Sequence, residues 1–351
     1  MTIPVYQWQP TTDEIAARAG IPPERVVRFD QNTSPFAPPW AVSEASRAAA
    51  ASNEYPRADY RPLRRAIADY HGIDDEMRIV VGAGADEILL LVAKTYLGPG
   101  RTAVAESPTY ALYRIATLQV GAEFTAVPRD AGGLRFSADR MAAAAAGADV
   151  TWICAPHNPA GDRPDAAEIA TVIDAAGGLT VIDAAYAQFA PQGWSGLLPD
   201  LPDVITAGTL SKAFGLAGMR VGYAVAGPEH AARLDAMRPP GSVSNVAAAL
   251  ALRAFEDPSW MEDNVAAIIR GRDDLARRVA GLGLTVSSTA TNFVLAEVGP
   301  GALEVAATLM DRSGLVVRSF PAGHPFDSFL RFTVRTHDDH DRLITALEKA
   351  L

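Results

Sequence analysis

The sequence predicts an α/β protein, with a large domain on a mostly parallel sheet covered by helices on both faces and a smaller α+β domain after it. Three observations support this. Between about residues 79 and 225, short β-rich runs alternate with helical runs, the pattern of strands joined by crossover helices. After about residue 228 the alternation stops and a long Ala- and Arg-rich helical region follows. The 351 residues, nearly half of them apolar, exceed a typical single domain and suffice for a sizeable core plus a smaller unit.

The first 45 or so residues are proline-rich and too short to fold alone, so 1–45 is expected to pack on the small domain. The large domain is expected over 46–245. Its seven candidate strands are RIVVG (78–82), RTAVAE (101–106), AEFTAVP (122–128), DVTWICAP (149–156), LTVIDAAY (179–186), DVITAGT (203–209) and RVGYAVA (220–226). Candidate helices between them are ADEILLLVAKTYL (85–97), PTYALYRIATLQ (108–119) and PDAAEIATVIDAA (164–176). Over 246–351, a helical region of roughly 246–280 leads into LTVSS, NFVLAEV, LVVRSF and FLRFTV, with one helix between. Ligands of open parallel sheets sit beyond the carboxyl ends of the strands. The residues that follow each strand are therefore the candidates for a site.

Composition narrows the function. The net charge is −10, from 31 basic and 41 acidic residues, with no long basic run. A nucleic-acid partner is not expected, because phosphate binding needs clustered Lys and Arg. Cys154 is the only cysteine, so no disulfide framework or cysteine-rich metal site is expected. It lies in an apolar run, as a buried inert thiol does. The N-terminus has no basic start or apolar signal core, and no stretch is long and apolar enough to span a bilayer. A cytoplasmic enzyme without a membrane anchor fits these features.

Lysine usage singles out one residue. The chain has 28 arginines and three lysines. Lys94 ends a helical stretch, where a cation suits the last turn, and Lys349 is near the C-terminus. Lys212 instead follows Thr209 and Ser211 and precedes three glycines, in TLSKAFGLAGMRVGY. Other polar residues also follow strands. They are Asn158 in the turn His157-Asn158-Pro159-Ala160-Gly161, Asp183 with Tyr186 three residues on, and Gly82-Ala83-Gly84-Ala85-Asp86 opening a helix. Singly, each is an ordinary turn, cap or helix start. Together they match the needs of pyridoxal phosphate. That cofactor takes a lysine amine in a Schiff base and an acid at its ring nitrogen. It also takes donors at its ring oxygen and a phosphate cup of N–H groups, hydroxyls and an arginine.

On these motifs the chain resembles fold-type-I pyridoxal-phosphate aminotransferases, and within them is similar to the histidinol-phosphate aminotransferase family. The likeness runs from the opening Tyr6-Gln-Trp-Gln-Pro through NTSP (32–35), EYPRADY, GAGADE, SPTYALY, PHNPAG and DAAYAQF to TLSKAFGLAGMRVGY and a late LRFTVRT. The resemblance implies transamination between an amino donor such as L-histidinol phosphate and 2-oxoglutarate, by a ping-pong mechanism. Lys212 would be the Schiff-base lysine and proton-transfer base, and Asp183 would keep the ring nitrogen protonated. Asn158 and Tyr186 would contact the ring oxygen, and Tyr110 would stack on the ring. The phosphate would meet Gly84, the N–H groups of Ala85 and Asp86, Thr209, Ser211 and Arg220, with Tyr55 reaching it from a partner subunit. Arg331 would bind a substrate carboxylate and Arg318 a second anionic group, with Tyr6 and Asn32 lining the substrate side. A homodimer with shared sites is implied.

Three positions depart from the family pattern. Thr33 stands where glutamate is usual, Ala184 follows the key aspartate where glutamate is common, and His157 replaces an asparagine. Thr33 leaves the donor open. The same cofactor residues would serve an aromatic amino acid aminotransferase. They would also serve a lyase similar to threonine-phosphate decarboxylase, because the bond that breaks depends on which one stands perpendicular to the ring. A non-catalytic regulator fits poorly, since no basic face or fused DNA-binding segment is evident.

Overall fold

The computed structural model describes residues 6, 9–198 and 200–351. The first residues of the expected N-terminal segment, and Gln7 and Trp8 of the opening motif, lie outside the described residues.

All seven expected strands form one sheet. In spatial order they are Ile79–Gly82, Gly222–Ala226, Val204–Thr209, Leu179–Asp183, Val150–Cys154, Thr102–Ser107 and Glu123–Pro128. Only Gly222–Ala226 runs antiparallel to its neighbours. The inner strands are buried on both faces, as central strands of a covered sheet must be. Their period of two sends neighbouring residues to opposite sides. Trp152, Val181 and Ile205 pack with helix Gly84–Tyr96 and Tyr113, while Ile153 and Ile182 pack with Met141, Ile169 and Val172. The edge strand Glu123–Pro128 keeps most of its residues out of the core.

Register aligns the functional ends. Cys154 sits opposite Asp183, Asp183 opposite Ala207, and Thr209 opposite Gly222. The loops carrying Asn158, Asp183 and Lys212 therefore leave the sheet side by side.

Helix starts differ from expectation by local chemistry. The helix expected from residue 108 begins at Ala111, because Tyr110 is still extended. The one expected from 164 begins at Ala166, where Asp165 caps the Glu168 N–H and Glu168 returns a bond to the Asp165 N–H, a reciprocal cap. The long region expected over 246–280 is two helices, Asn245–Glu256 and Ser259–Gly281, parted at Asp257-Pro258. Proline cannot donate the next helical bond.

The C-terminal part holds a three-stranded sheet of Thr285–Val286, Phe293–Glu297 and Phe329–Thr333. The LVVRSF run does not join it as a full strand. Leu315–Val316 instead pairs in parallel with Val27–Arg28, and Arg318 alone bridges to Arg331. The Thr333 N–H also donates to the Phe29 carbonyl at 2.8 Å. Residues 27–32 are thereby stitched to the far end of the chain.

Candidate active site

The site lies where the loops after the central strands meet residues 30–32 and 331–333. Lys212 Nζ is 3.3 Å from the Gln31 carbonyl and 5.9 Å from the centre of the Tyr186 ring. Burial, helped by the nearby Arg331, lowers its pKa to about 8, since a desolvated ammonium gives up its proton more readily.

Asp183 ends its strand and is buried. The Tyr113 O–H donates to its Oδ2 at 2.7 Å and the Ala185 N–H to its Oδ1 at 3.1 Å. Burial raises its pKa, against the pull of those two donors. The Tyr113 ring stacks on Trp152, with centroids 5.6 Å apart and planes 7° from parallel.

An anion cradle forms beside Lys212. At the start of helix Gly84–Tyr96, Glu87 takes the Ala83 N–H at 2.6 Å, but Ala83 has no polar side chain to cap the first turn, so the N–H groups of Gly84, Ala85 and Asp86 are available to an anion. Gly84 has φ +85°, and a Cβ there would come within 2.6 Å of Arg220 Nη2. A Cβ on Gly222 would collide with the Ala85 nitrogen. Both glycines are therefore needed for the guanidinium and the last strand to approach the helix start. Arg220 also donates to Ser211 Oγ at 3.2 Å, and Thr209 Oγ1 donates to Ser211 Oγ at 3.0 Å. Asp86 contributes its side chain, which sequence reasoning did not foresee. Its carboxylate accepts from Arg220 at 2.8 Å and from the Tyr110 O–H at 2.9 Å. Tyr110 meets Tyr113 edge-on at 5.7 Å.

The opposite wall is made of distant segments. Asn32, at φ 52°, donates from Nδ2 to the Tyr186 oxygen at 2.9 Å. Thr333 Oγ1 donates to Asn32 Oδ1 at 3.0 Å, and Asn292 Nδ2 donates to the Asn32 carbonyl at 3.0 Å. Burial raises the Tyr186 phenol. Arg331 Nη1 donates to Asn158 Oδ1 at 2.5 Å and Nη2 to the Asp30 carbonyl at 2.8 Å, above the Phe293 ring. Burial lowers the Arg331 pKa to about 10. The Tyr6 phenol lies near enough to Tyr110 and Arg331 to perturb both.

Arg318 and Arg331 form an antiparallel bridge, with N–H to carbonyl distances of 3.1 and 2.9 Å. Residues directly opposite in such a pair share a face. Of the expected residues, only Tyr55 is not brought in. It is 96% exposed, and among the described residues no hydrogen bond or ring contact joins it to the others. Tyr113, Asn292 and Thr333 were not anticipated. Two of them carried a signal. Tyr113 follows Tyr110 by three residues, one helical turn, and Thr333 follows Arg331 by two, the same face of a strand.

A family model for aminotransferase class I and II matches residues 24–347. The chain belongs to that family. A histidinol-phosphate aminotransferase of Symbiobacterium thermophilum is 36% identical over 332 residues, spanning 93% of this chain and 91% of the relative. One from Dechloromonas aromatica is 32% identical over 356 residues, spanning 99% and 96%. The crystal structure of histidinol-phosphate aminotransferase from Sinorhizobium meliloti in complex with pyridoxal 5′-phosphate superposes with a TM-score of 0.89 at 25% identity. That likeness covers 98% of this chain and 95% of the other.

This aminotransferase is thus a fold-type-I enzyme that uses pyridoxal phosphate. The residues present fit that cofactor. An uncapped helix start with two close glycines and an arginine suits a phosphate. A buried carboxylate suits a ring nitrogen, and an amine with lowered pKa suits a carbonyl carbon. Among the described residues no helix is long and apolar enough to cross a membrane.

Proposed function

We propose that this enzyme moves the amino group of L-histidinol phosphate to 2-oxoglutarate in two half-reactions of a ping-pong cycle. One observation carries the substrate choice. Arg318 and Arg331 are bridged side by side, and the Arg331 guanidinium donates to neutral oxygens, the amide of Asn158 and the carbonyl of Asp30. Arg318 is close enough to lower the proton affinity of Arg331. Two adjacent cations, the inner one bonded to neutral acceptors, suit a phosphate dianion on the donor and two carboxylates on the acceptor. The family names of the relatives agree.

Bound pyridoxal phosphate supplies an electron sink for the carbanion at the donor's α-carbon. In this reading the chain's own residues do the rest. Lys212 Nζ holds the cofactor, and its burial, which disfavours the ammonium, suits it to move the α-carbon proton as a neutral amine. Asp183 holds the proton on the ring nitrogen. Tyr186 and Asn158 contact the ring oxygen, and Tyr110 covers the ring face. The N–H groups of Ala85 and Asp86, with Thr209, Ser211 and Arg220, hold the phosphate. Exposed Tyr55 reaches the site of a second copy in a homodimer, and the enzyme acts in the cytoplasm.

The test is a half-reaction screen followed by cofactor absorbance. Single donors are added without a keto acid, namely histidinol phosphate, phenylalanine, glutamate and phosphothreonine. Fast conversion by histidinol phosphate and slow conversion by phenylalanine supports the reading. Conversion by phenylalanine alone moves the enzyme to the aromatic class. Carbon dioxide release from phosphothreonine with the starting absorbance retained makes it a lyase.

A further inference from the structure

We propose that Tyr113 is a positioning residue for the cofactor, acting through Asp183: its phenol donates to one carboxylate oxygen and fixes the direction in which the other faces the site. This rests on the reading of Asp183 as the partner of the ring nitrogen.

The geometry is specific. Tyr113 is 1% exposed, so its O–H is shielded from bulk solvent and a protein acceptor is favoured. It donates to Asp183 Oδ2 at 2.7 Å, while the Ala185 N–H takes Oδ1 at 3.1 Å. One donor on each oxygen fixes the carboxylate plane and leaves each oxygen a free lone pair. Tyr113 is itself held. Its ring lies flat against Trp152 and meets Tyr110 edge-on, so the residue read as the ring stacker and the residue read as the ring-nitrogen acid share one support.

The charge effect follows from the surroundings. Asp183 interacts with Tyr113 and Ala185 by hydrogen bonds, and electrostatically with Asp86 and Lys212. It also acts on Cys154, Tyr110 and Tyr186. Burial and Asp86 favour the protonated acid, while Tyr113, the Ala185 N–H and Lys212 favour the carboxylate. A protonated Asp183 could not hold a proton on the ring nitrogen. Removing the Tyr113 hydroxyl takes away a donor to the charged form, so the carboxyl pKa rises. As pH falls, the carboxylate is then lost at a higher pH than in the parent enzyme.

The experiment compares holoenzymes of the parent, Tyr113→Phe and Asp183→Asn. Cofactor absorbance and cofactor retention after gel filtration are followed from pH 8 downward. The phenylalanine variant keeps the ring and its stacking. It is expected to weaken pyridoxal phosphate binding on the order of tenfold and to move the acid limb of retention up by about one pH unit. A purely structural role would lower the melting temperature and leave that limb in place, which overturns the proposal. If Asp183→Asn alters the spectrum and retention while Tyr113→Phe does not, the proposal fails and the role of Asp183 stands. If neither variant changes them, the role of Asp183 falls as well.

Discussion

Arg331 Nη1 lies 2.5 Å from Asn158 Oδ1, so the arginine read as the substrate anchor is already bonded to the turn read as a cofactor contact. The bond crosses 173 positions of sequence and joins the last strand of the C-terminal sheet to the loop after a central strand. A substrate anion arriving at Arg331 would therefore act on the group beside the cofactor ring.

Replacing Arg331 with lysine keeps a charge but loses the planar fork. The variant is expected to lose on the order of a hundredfold in kcat/KM for both the amino donor and the keto acid, mostly through KM. Steady-state kinetics with each substrate checks this. A loss confined to kcat would count against a binding role.

Arg318→Gln separates the substrate classes. Histidinol phosphate and 2-oxoglutarate are expected to lose on the order of tenfold to a hundredfold in kcat/KM. Phenylalanine, with a single carboxylate, is expected to change little. Equal losses for all three would remove Arg318 from substrate recognition.

Gly222→Ala tests the cradle. The added Cβ would collide with the Ala85 nitrogen and the Gly84 carbonyl carbon, displacing the helix start from Arg220. Weaker cofactor binding, by on the order of a hundredfold, should accompany a stability loss of about 1–3 kcal/mol from overpacking. Titration with pyridoxal phosphate and thermal melts read the two effects. Unchanged cofactor affinity would show that the cradle lies elsewhere.

The amine of Lys212 can be titrated directly before cofactor is added. Acylation of the three lysines, followed by mass spectrometry, should show Lys212 labelling rising with a midpoint near its pKa of about 8. A midpoint near that of an ordinary lysine would mean that burial does not desolvate the amine.

His340 makes stability sensitive to acid. It is 2% exposed, and its Nε2 accepts the Arg335 N–H at 2.9 Å, a bond that a protonated ring could not accept there. Burial depresses its pKa to about 4, below the unfolded value of about 6.5. Its contribution is therefore complete above about pH 6.5 and lost as pH falls toward 4. Between about pH 6.5 and 5 the loss is roughly 2 kcal/mol. Urea midpoints should fall over this range in the parent and fall less in His340→Gln. Parallel declines in both would assign the acid sensitivity to other groups.

The sheet was readable because buried strands announce themselves as short apolar runs between turn residues, and all seven were found. Lys212 and Asn158 are readable because each sits after a strand in a loop rich in Gly, Pro or hydroxyls, Asp183 because it closes an otherwise apolar strand, and Arg220 because it stands between the glycines of the Lys212 loop and the next strand. What stayed hidden depends on long-range packing. No local pattern says that Asn32 will bond Tyr186 across 154 positions, or that Tyr113 will turn its phenol to Asp183 rather than remain a plain core aromatic. In the sequence Asp86 offers only its backbone, because the nearness of Arg220, 134 positions on, arises only when two glycines let the strand and helix meet. The helical region after residue 245 reads as one because alanine-rich sequence favours helix on both sides of Pro258 and hides the break.

The web around Asn32 has a consequence for how the enzyme is born. Gly84, Asp183, Lys212 and Arg220 have all been synthesised before the ribosome reaches Arg318, Arg331 and Thr333. Asn32, made among the first, meets Tyr186 midway but must wait for Thr333, among the last, for its remaining bonds. Translation thus delivers the two ends of the site at different times. The residues read as cofactor contacts are made while the substrate side still lacks its arginines, and Lys212 gains the neighbour that helps lower its pKa only when Arg331 follows.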